Sequence, residues 1–169
     1  MKEIFINVFI FLIPPMIVNG SFNFLSPLRR KNSFFAKLDR PIDFGKLFFD
    51  GRRILGDSTT FPGIIVAIIV GPIVGFIVYN SLYIGLLIGI CTYLGHAVGS
   101  FLKRRVGISD GKFLPVIDHS DYIMFNGIVW LVLGLLSFKI FLISWLTILI
   151  IHPMFCYLGY KLGIRTTIL

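Results

Sequence analysis

The sequence predicts an all-α membrane protein, a bundle of five transmembrane helices with two cytoplasmic loops forming a polar site. Three observations carry that expectation. Of 169 residues, 56% are apolar and only 14% charged, where a soluble domain would carry about 25% charge. Four stretches contain no Asp, Glu, Lys or Arg at all: 4–28, 58–102, 122–138 and 140–160. The basic residues gather on one set of connections between those stretches. A soluble globular domain and a disordered chain are both excluded.

The chain reads as a single integral-membrane domain, 1–169. Its first apolar stretch follows Met1-Lys2-Glu3. It lacks a small-residue cleavage site and is interrupted by Pro14-Pro15, so it reads as a retained span over 4–18 rather than a signal peptide. One helix needs about 20 apolar residues to cross a bilayer. The 45-residue stretch 58–102 therefore holds two spans, 62–79 and 83–102, with a turn at Tyr79-Asn80-Ser81. The last two stretches meet at Lys139, which marks a second short turn between spans 122–137 and 140–161. Gly71, Gly75, Gly85, Gly89, Gly95 and Gly99 fall largely at four-residue spacing, the signature of close helix packing. The loops left over are about 19–61 and 103–121.

Charge then sets sidedness. Segment 19–57 holds eight Lys/Arg and segment 103–121 holds four, with Lys161 and Arg165 beyond; only Lys2 and Lys139 fall on the other side. The positive-inside rule puts both long loops and the C-terminus in the cytoplasm and the N-terminus outside, a multi-pass protein of the cell membrane. The net charge of +8 is explained by topology and anionic headgroups and offers nothing further for nucleic acid. Cys91 and Cys156 lie in apolar runs, so no disulfide is expected, and no Cys/His metal spacing is apparent.

Seven of the eight acidic residues sit in the two loops: Asp39, Asp43, Asp50, Asp57, Asp110, Asp118 and Asp121. Sidedness does not require them. Loops that mix Asp with Lys/Arg on one face suit an anionic substrate and a divalent metal, or are ordinary solvated loops. In the first loop, Asp43 can cap a short interfacial helix containing Leu47, Phe48 and Phe49. Asp50-Gly51 signals a turn, and Arg52 and Arg53 follow. Arginine forks match phosphate oxygens. Gly51 and Gly56 permit close backbone approach, and Ser58-Thr59-Thr60 precede a helix N-terminus where anions are favoured. The alternative is an interfacial helix with topology-setting arginines. Asn19-Gly20 is either a substrate-holding amide or a helix-ending turn.

In the second loop, Lys103, Arg104 and Arg105 end a helix, where cations complement the dipole and snorkel. Successive residues point about 100° apart, so at most two of the three face one pocket. Asp118 and Asp121 lie at i and i+3 and share a helix face. They can hold a magnesium ion, or cap the helix. His152, beside Pro153, reads as a hydrogen-bonded interhelical histidine, His96 as a polar residue at the mouth of the bundle, and Trp130 and Trp145 as lipid-facing or packing aromatics.

Pro41-Ile-Asp-Phe-Gly45, Phe49-Asp-Gly-Arg-Arg-Ile-Leu-Gly-Asp57, Gly99-Ser-Phe-Leu-Lys-Arg-Arg-Val-Gly107 and the Asp118/Asp121 pair occur in that order. In order and spacing they resemble the CDP-archaeol synthase family, itself similar to CDP-diacylglycerol synthases. The resemblance runs from Pro14-Pro15 to His152. It implies an enzyme, a CTP:lipid-phosphate cytidylyltransferase of phospholipid biosynthesis, that transfers CMP from CTP to a lipid phosphate such as unsaturated archaetidic acid and releases pyrophosphate. It implies Mg2+, with Mn2+ as the alternative, held by Asp118 and Asp121. Lys103 and Arg104 join them as catalytic residues, and Arg52, Arg53, Asp57, Asp50, Asn19 and Asp43 serve CTP and phosphate binding. The expected partners are CTP, the lipid phosphate and membrane lipids, with a homodimer open and no nucleic acid. The chain departs from the family pattern at His96, where an Asp is usual, at Thr59, where a Lys is usual, at Pro62 (Arg), at His119 (Gln) and at Cys156 (Asn). A member that binds lipid phosphate, nucleotide or a membrane partner without turnover is the alternative. A small transporter or channel subunit is a third, carried only by His96 and His152.

Overall fold

The computed structural model describes residues 2–31 and 40–163, with side chains for 2–22 and 40–163; Asp39 and Arg165 lie outside the described residues. Five helices follow in order: α1 Lys2–Lys31, α2 Phe61–Tyr79, α3 Leu82–Arg105, α4 Pro115–Val132 and α5 Phe138–Lys161. The described residues form no strand, only two isolated bridges, Pro41 with Thr60 and Leu47 with Arg53. Lys2–Phe22, α2, α3 and α5 are long and apolar enough to cross a membrane. The remaining helix, α4, has 18 residues and carries Asp118, His119 and Asp121 near its start, where it packs against α3, α5 and α1.

Two helices, α1 and α4, differ from the expected bounds. The first span was expected to stop at 18, but α1 runs to Lys31, so Asn19-Gly20 is not a terminal turn. Pro14 removes the N–H that would bond the Ile10 carbonyl. The Tyr79 hydroxyl at the end of α2 donates to that carbonyl at 2.7 Å, and both prolines are fully buried. A neighbouring helix thus satisfies the acceptor that the proline frees, which is how such residues persist inside spans. The fourth helix starts at Pro115 rather than 122 and ends at Val132. Pro115 sits at its first position, where the absent N–H costs nothing. The second loop shrinks to 106–114. The turn before α5 occupies 133–137 around Gly134 (φ 69°), and Lys139 lies in the first turn of α5 instead of marking a turn.

The short turn between α2 and α3 falls where the sequence placed it. Asn80 ends α2 in the left-handed region (φ 51°), and the Ser81 hydroxyl accepts from the Ile84 N–H at 3.3 Å. These two helices meet backbone to backbone: a Cβ added at Gly71 would lie 2.5 Å from the Gly85 carbonyl oxygen. The core gathers Phe11, Leu12 and Val18 of α1, Ile88 of α3, Tyr122, Ile123 and Trp130 of α4 and Ile148 of α5. Trp130 packs there against Phe11 and Tyr79, and Trp145 donates to the Ser120 hydroxyl. The outer faces of α2 and α5 expose Ile65, Ile69, Phe76, Ile150, Met154 and Phe155, as lipid contact requires.

Candidate active site

The segment 40–60 lies over the charged end of α3, and its fold is set by ion pairs. The expected interfacial helix at 43–49 does not form. Asp43, instead of capping a helix, is buried (side chain 1% exposed) and acts as the segment's anchor. It accepts from Gly45 N at 3.0 Å, Leu55 N at 3.0 Å, Gly56 N at 3.2 Å and Arg53 Nη2 at 2.7 Å. Burial raises its carboxyl pKa, but the Arg53 guanidinium and the backbone donors more than offset this and hold it below the ordinary value of 3.8. Arg53 is held from the other side by Asp57 Oδ1 at 2.5 Å, and the hydrogen bonds from Asp43 and then Asp57 push its pKa still higher. The Asp50-Gly51 turn is present, with Gly51 at φ 74° and Asp50 Oδ1 accepting from Arg52 N at 3.1 Å.

Three consecutive cations end α3, and two of them, Lys103 and Arg105, bond an acid directly. Lys103 Nζ pairs with Asp118 Oδ1 at 2.5 Å. Arg105 pairs with Asp50 at 2.6 Å, donates to the Arg53 carbonyl and lies over the rings of Phe48 and Phe101 at 4.7 and 4.8 Å. Arg104 is 6% exposed, yet its nearest acid is Asp110 Oδ1 at 3.7 Å, and its Nε has no partner among the described residues. Arg52, expected to bind phosphate, donates to the Arg104 and Arg105 carbonyls at 3.3 and 2.6 Å. It therefore caps the C-terminus of α3. Asp110 ties the two loops together by accepting from Asp57 N at 2.7 Å. Its carboxylate fills the place a side chain would take at Gly56, 2.6 Å from a Cβ built there, and Gly56 has φ 138°. Only glycine suits that position.

Asp118 and Asp121 are helical and both turn towards α3, as their spacing required. Asp118 Oδ2 also accepts from Leu114 N at 2.6 Å, so Asp118 secures the helix start as well as pairing with Lys103. Asp121 lies against Gly99: a Cβ added there would sit 2.5 Å from Oδ2. Asp121 Oδ1 accepts from Tyr122 N at 2.7 Å, and the nearest charge partner of Oδ2 is His96 Nδ1 at 3.7 Å. Gly95, one turn earlier, lets the α4 backbone approach equally closely. Gly95 and Gly99, read from sequence only as packing, thus make the slot that holds Asp121.

The remaining expected residues divide. Asp57 is exposed at its carboxylate (72%), and Ser58 is exposed. Thr59 is fully buried and donates to Ser100 Oγ at 3.3 Å, so it does not face an incoming anion. Asn19 is half-buried, three residues from Phe22, whose ring lies 6.4 Å from His96. The sequence reading did not assign Arg105 or Asp110 to the site, although Asp110 was among the loop acids. It also found no Cys/His metal spacing, yet His119, His152 and Cys156 come together between α4 and α5. The one-turn spacing of His152 and Cys156 was a signal for this; the distance in sequence to His119 hid the rest.

A helical bundle with several helices long and apolar enough to span a membrane and with paired, partly buried charges at one end defines a polytopic membrane protein with a polar site. A family model described as CarS-like, CDP-archaeol synthase, matches residues 3–168. Among curated proteins, CDP-archaeol synthase of Sulfolobus acidocaldarius is 32% identical over 93% of both chains. That of Pyrobaculum calidifontis is 30% identical over 98% of both. A solved structure described as an intramembrane enzyme for archaeal membrane lipid biosynthesis has a TM-score of 0.68 and 26% identity, covering 85% of this chain and 89% of that one. The chain belongs to the CDP-archaeol synthase family.

Proposed function

We propose that this chain transfers CMP from CTP to a membrane lipid phosphate of the unsaturated archaetidic acid type, giving a CDP-lipid and pyrophosphate. The observation that carries this reading is Arg104, a buried guanidinium whose nearest acid stands 3.7 Å away. A buried charged donor short of partners is costly, and a phosphate would supply the missing acceptors. The lipid phosphate oxygen attacks the α-phosphorus of CTP, and the bond from that phosphorus to the bridging oxygen breaks as pyrophosphate leaves. Such chemistry is chiefly positioning and electrostatic stabilisation. Arg104 and Lys103 bind phosphoryl oxygens. Asp57 and Ser58, exposed at the edge of the first loop, reach the nucleotide, while Asp43, Asp50, Arg52 and Arg53 keep that loop seated on α3.

The residues also fit a divalent cation. Asp121 and Asp118 would hold it: both are oxygen donors, the set Mg2+ takes, and Asp121 Oδ2 has no hydrogen-bond donor in the described residues. When bound, Mg2+ supplies charge neutralisation for the triphosphate and the leaving pyrophosphate. With Asp118 so engaged, Lys103 would be available to a phosphate oxygen. The excess of Lys/Arg at this end supports a cytoplasmic orientation, towards the CTP pool.

The test uses detergent-purified chain with α-labelled CTP and Mg2+, offering unsaturated archaetidic acid and phosphatidic acid separately. Labelled lipid from the first that disappears in Asp121→Asn is the expected result. Equal labelling of both lipids would refute the lipid assignment. No labelled lipid from folded protein, with Mn2+ tried in place of Mg2+, would refute turnover and leave binding alone. His96 beside Asp121 favours that second outcome, because imidazole is a poor ligand for magnesium.

A further inference from the structure

A second cluster lies on the opposite side of α4 from Asp121. His119 Nδ1 and His152 Nδ1 are 2.7 Å apart, and Cys156 Sγ is 3.8 Å from His152 Nδ1. All three ligand atoms fall within 4.8 Å of one another, the one group of three or more His, Cys, Asp or Glu so placed among the described residues. His119 and Cys156 are buried and His152 half-buried. His152 and Cys156 are one turn apart on α5, so both face α4. Two residues along α4 rotate a side chain by about 200°. That rotation is why Asp121 meets α3 while His119 meets α5.

We infer that His119, His152 and Cys156 form a transition-metal site of the zinc class that ties α4 to α5. The donor chemistry points that way: two imidazoles and a thiolate suit Zn2+ and are poor for Mg2+ or Ca2+. The geometry is near what such an ion needs. Tetrahedral Zn2+ with bonds of about 2.05 Å to nitrogen and about 2.3 Å to sulfur sets two nitrogens about 3.3 Å apart and nitrogen and sulfur about 3.6 Å apart. The observed separations are 2.7 Å and 3.8 Å, with His119 and Cys156 within 4.8 Å of each other, so side-chain shifts that part the imidazoles by about 0.6 Å and bring the thiol into range of both would admit the ion. A direct imidazole pair employs two of the groups and leaves the thiol at the edge of contact; a metal employs all three. Binding forms two N–metal bonds and one S–metal bond and releases the Cys156 thiol proton to solvent. Three protein ligands leave a fourth position for water or another small donor. The site joins α5, the span with the smallest buried share, to the helix that carries Asp118 and Asp121.

The experiment is a Co2+ titration of the metal-stripped, detergent-purified full chain. The expected result is a thiolate-to-cobalt charge-transfer band with the visible bands of tetrahedral Co2+. It should saturate at one ion per chain, be abolished by equimolar Zn2+ and persist in excess Mg2+. Cys156→Ser should remove the charge-transfer band. His119→Gln should weaken binding at least about tenfold, and Cys91→Ser should change nothing. The native chain decides the matter even if a variant fails to fold. A featureless spectrum at saturating Co2+ overturns the inference, as does a charge-transfer band that survives Cys156→Ser or is lost in folded Cys91→Ser.

Discussion

Replacing Gly99 with alanine tests the slot that seats Asp121. The new Cβ would lie 2.5 Å from Asp121 Oδ2, 3.0 Å from its Cβ and 3.1 Å from its Cγ. Rotating the carboxylate relieves the first contact and not the second, so the side chain must move bodily or α4 must retreat. Ordinary carbon–oxygen contact begins near about 3.4 Å, which asks for a displacement of roughly 1 Å. A misplacement of that size costs on the order of 100-fold in rate, or about 2.7 kcal/mol of transition-state stabilisation. Stability should not suffer equally, because alanine gains about 1 kcal/mol of helix propensity over glycine. Initial rates of CDP-lipid formation and thermal unfolding would be measured on the same preparation. Wild-type turnover in the alanine variant, with helix content and melting unchanged, would show that the position of Asp121 does not matter and would remove it from the mechanism.

The other expectations divide the charged residues by role. Arg104→Gln should lower kcat/KM for CTP about 100-fold while leaving Tm unchanged or raised, since an under-partnered buried cation is removed. Arg52→Gln should do the reverse, costing about 1–2 kcal/mol of stability through the lost α3 cap with kcat/KM within a few-fold; steady-state kinetics with thermal melts separate the two. Asp43→Asn should destabilise the protein by about 2–3 kcal/mol at neutral pH by removing a charged acceptor from Arg53. The folded Asp43 carboxyl lies below its usual value, so its stabilisation is complete above about pH 4 and is lost as pH falls through the lowered value. The gap in Tm between wild type and Asp43→Asn should therefore narrow below about pH 4, and an equal gap at pH 3 and pH 7 would contradict the pairing. Tyr79→Phe should cost about 1 kcal/mol by leaving the Ile10 carbonyl unpartnered, read as a lower midpoint in detergent unfolding.

Composition and period were legible in the sequence, and they carried most of the architecture. Uncharged runs located the helices, the asymmetry of Lys/Arg marked one end, and i, i+3 spacing put Asp118 and Asp121 on one face. The errors came where a charge was taken as the end of a span. The fourth span was drawn from 122 because the uncharged stretch starts there, but Lys103 and the Leu114 N–H accommodate Asp118 and a glycine slot accommodates Asp121, so the helix begins seven residues earlier at Pro115. Pro14-Pro15 interrupts the first apolar stretch, yet Tyr79, 64 positions after Pro15, donates to the freed Ile10 carbonyl. The segment at 43–49 looked amphipathic, but Asp43 serves Leu55 and Gly56 as well as Gly45, long-range bonds that a helix there could not make. In each case a partner distant in sequence overrides a local rule.

The charges at the end of α3 show the same division of labour. Arg52, Arg53 and Arg105 are engaged within the protein: with the end of α3, with Asp43 and Asp57, and with Asp50 between two aromatic rings. Arg52 and Arg105 fix the loop to the helix, and Arg53 holds the loop itself together. Lys103 and Arg104 remain, one paired with an acid that a metal can also use, the other with its nearest acid too far for a hydrogen bond. Six carboxylates stand among these five cations, with Arg40, Lys46 and Lys112 in the same loops, so most of the positive charge that could attract a triphosphate is already matched by acids. A divalent cation held by Asp118 and Asp121 would neutralise two of those acids and leave Lys103 available to phosphate. Nucleotide and metal should accordingly bind with strong positive coupling: CTP affinity measured in EDTA should fall at least tenfold from its value in Mg2+, by an amount that shrinks in Asp118→Asn, where one competing charge is already gone. CTP binding that is equally tight with and without Mg2+ would mean that Lys103 and Arg104 suffice unaided, and the exchange of Asp118 between lysine and metal would have no place in the mechanism.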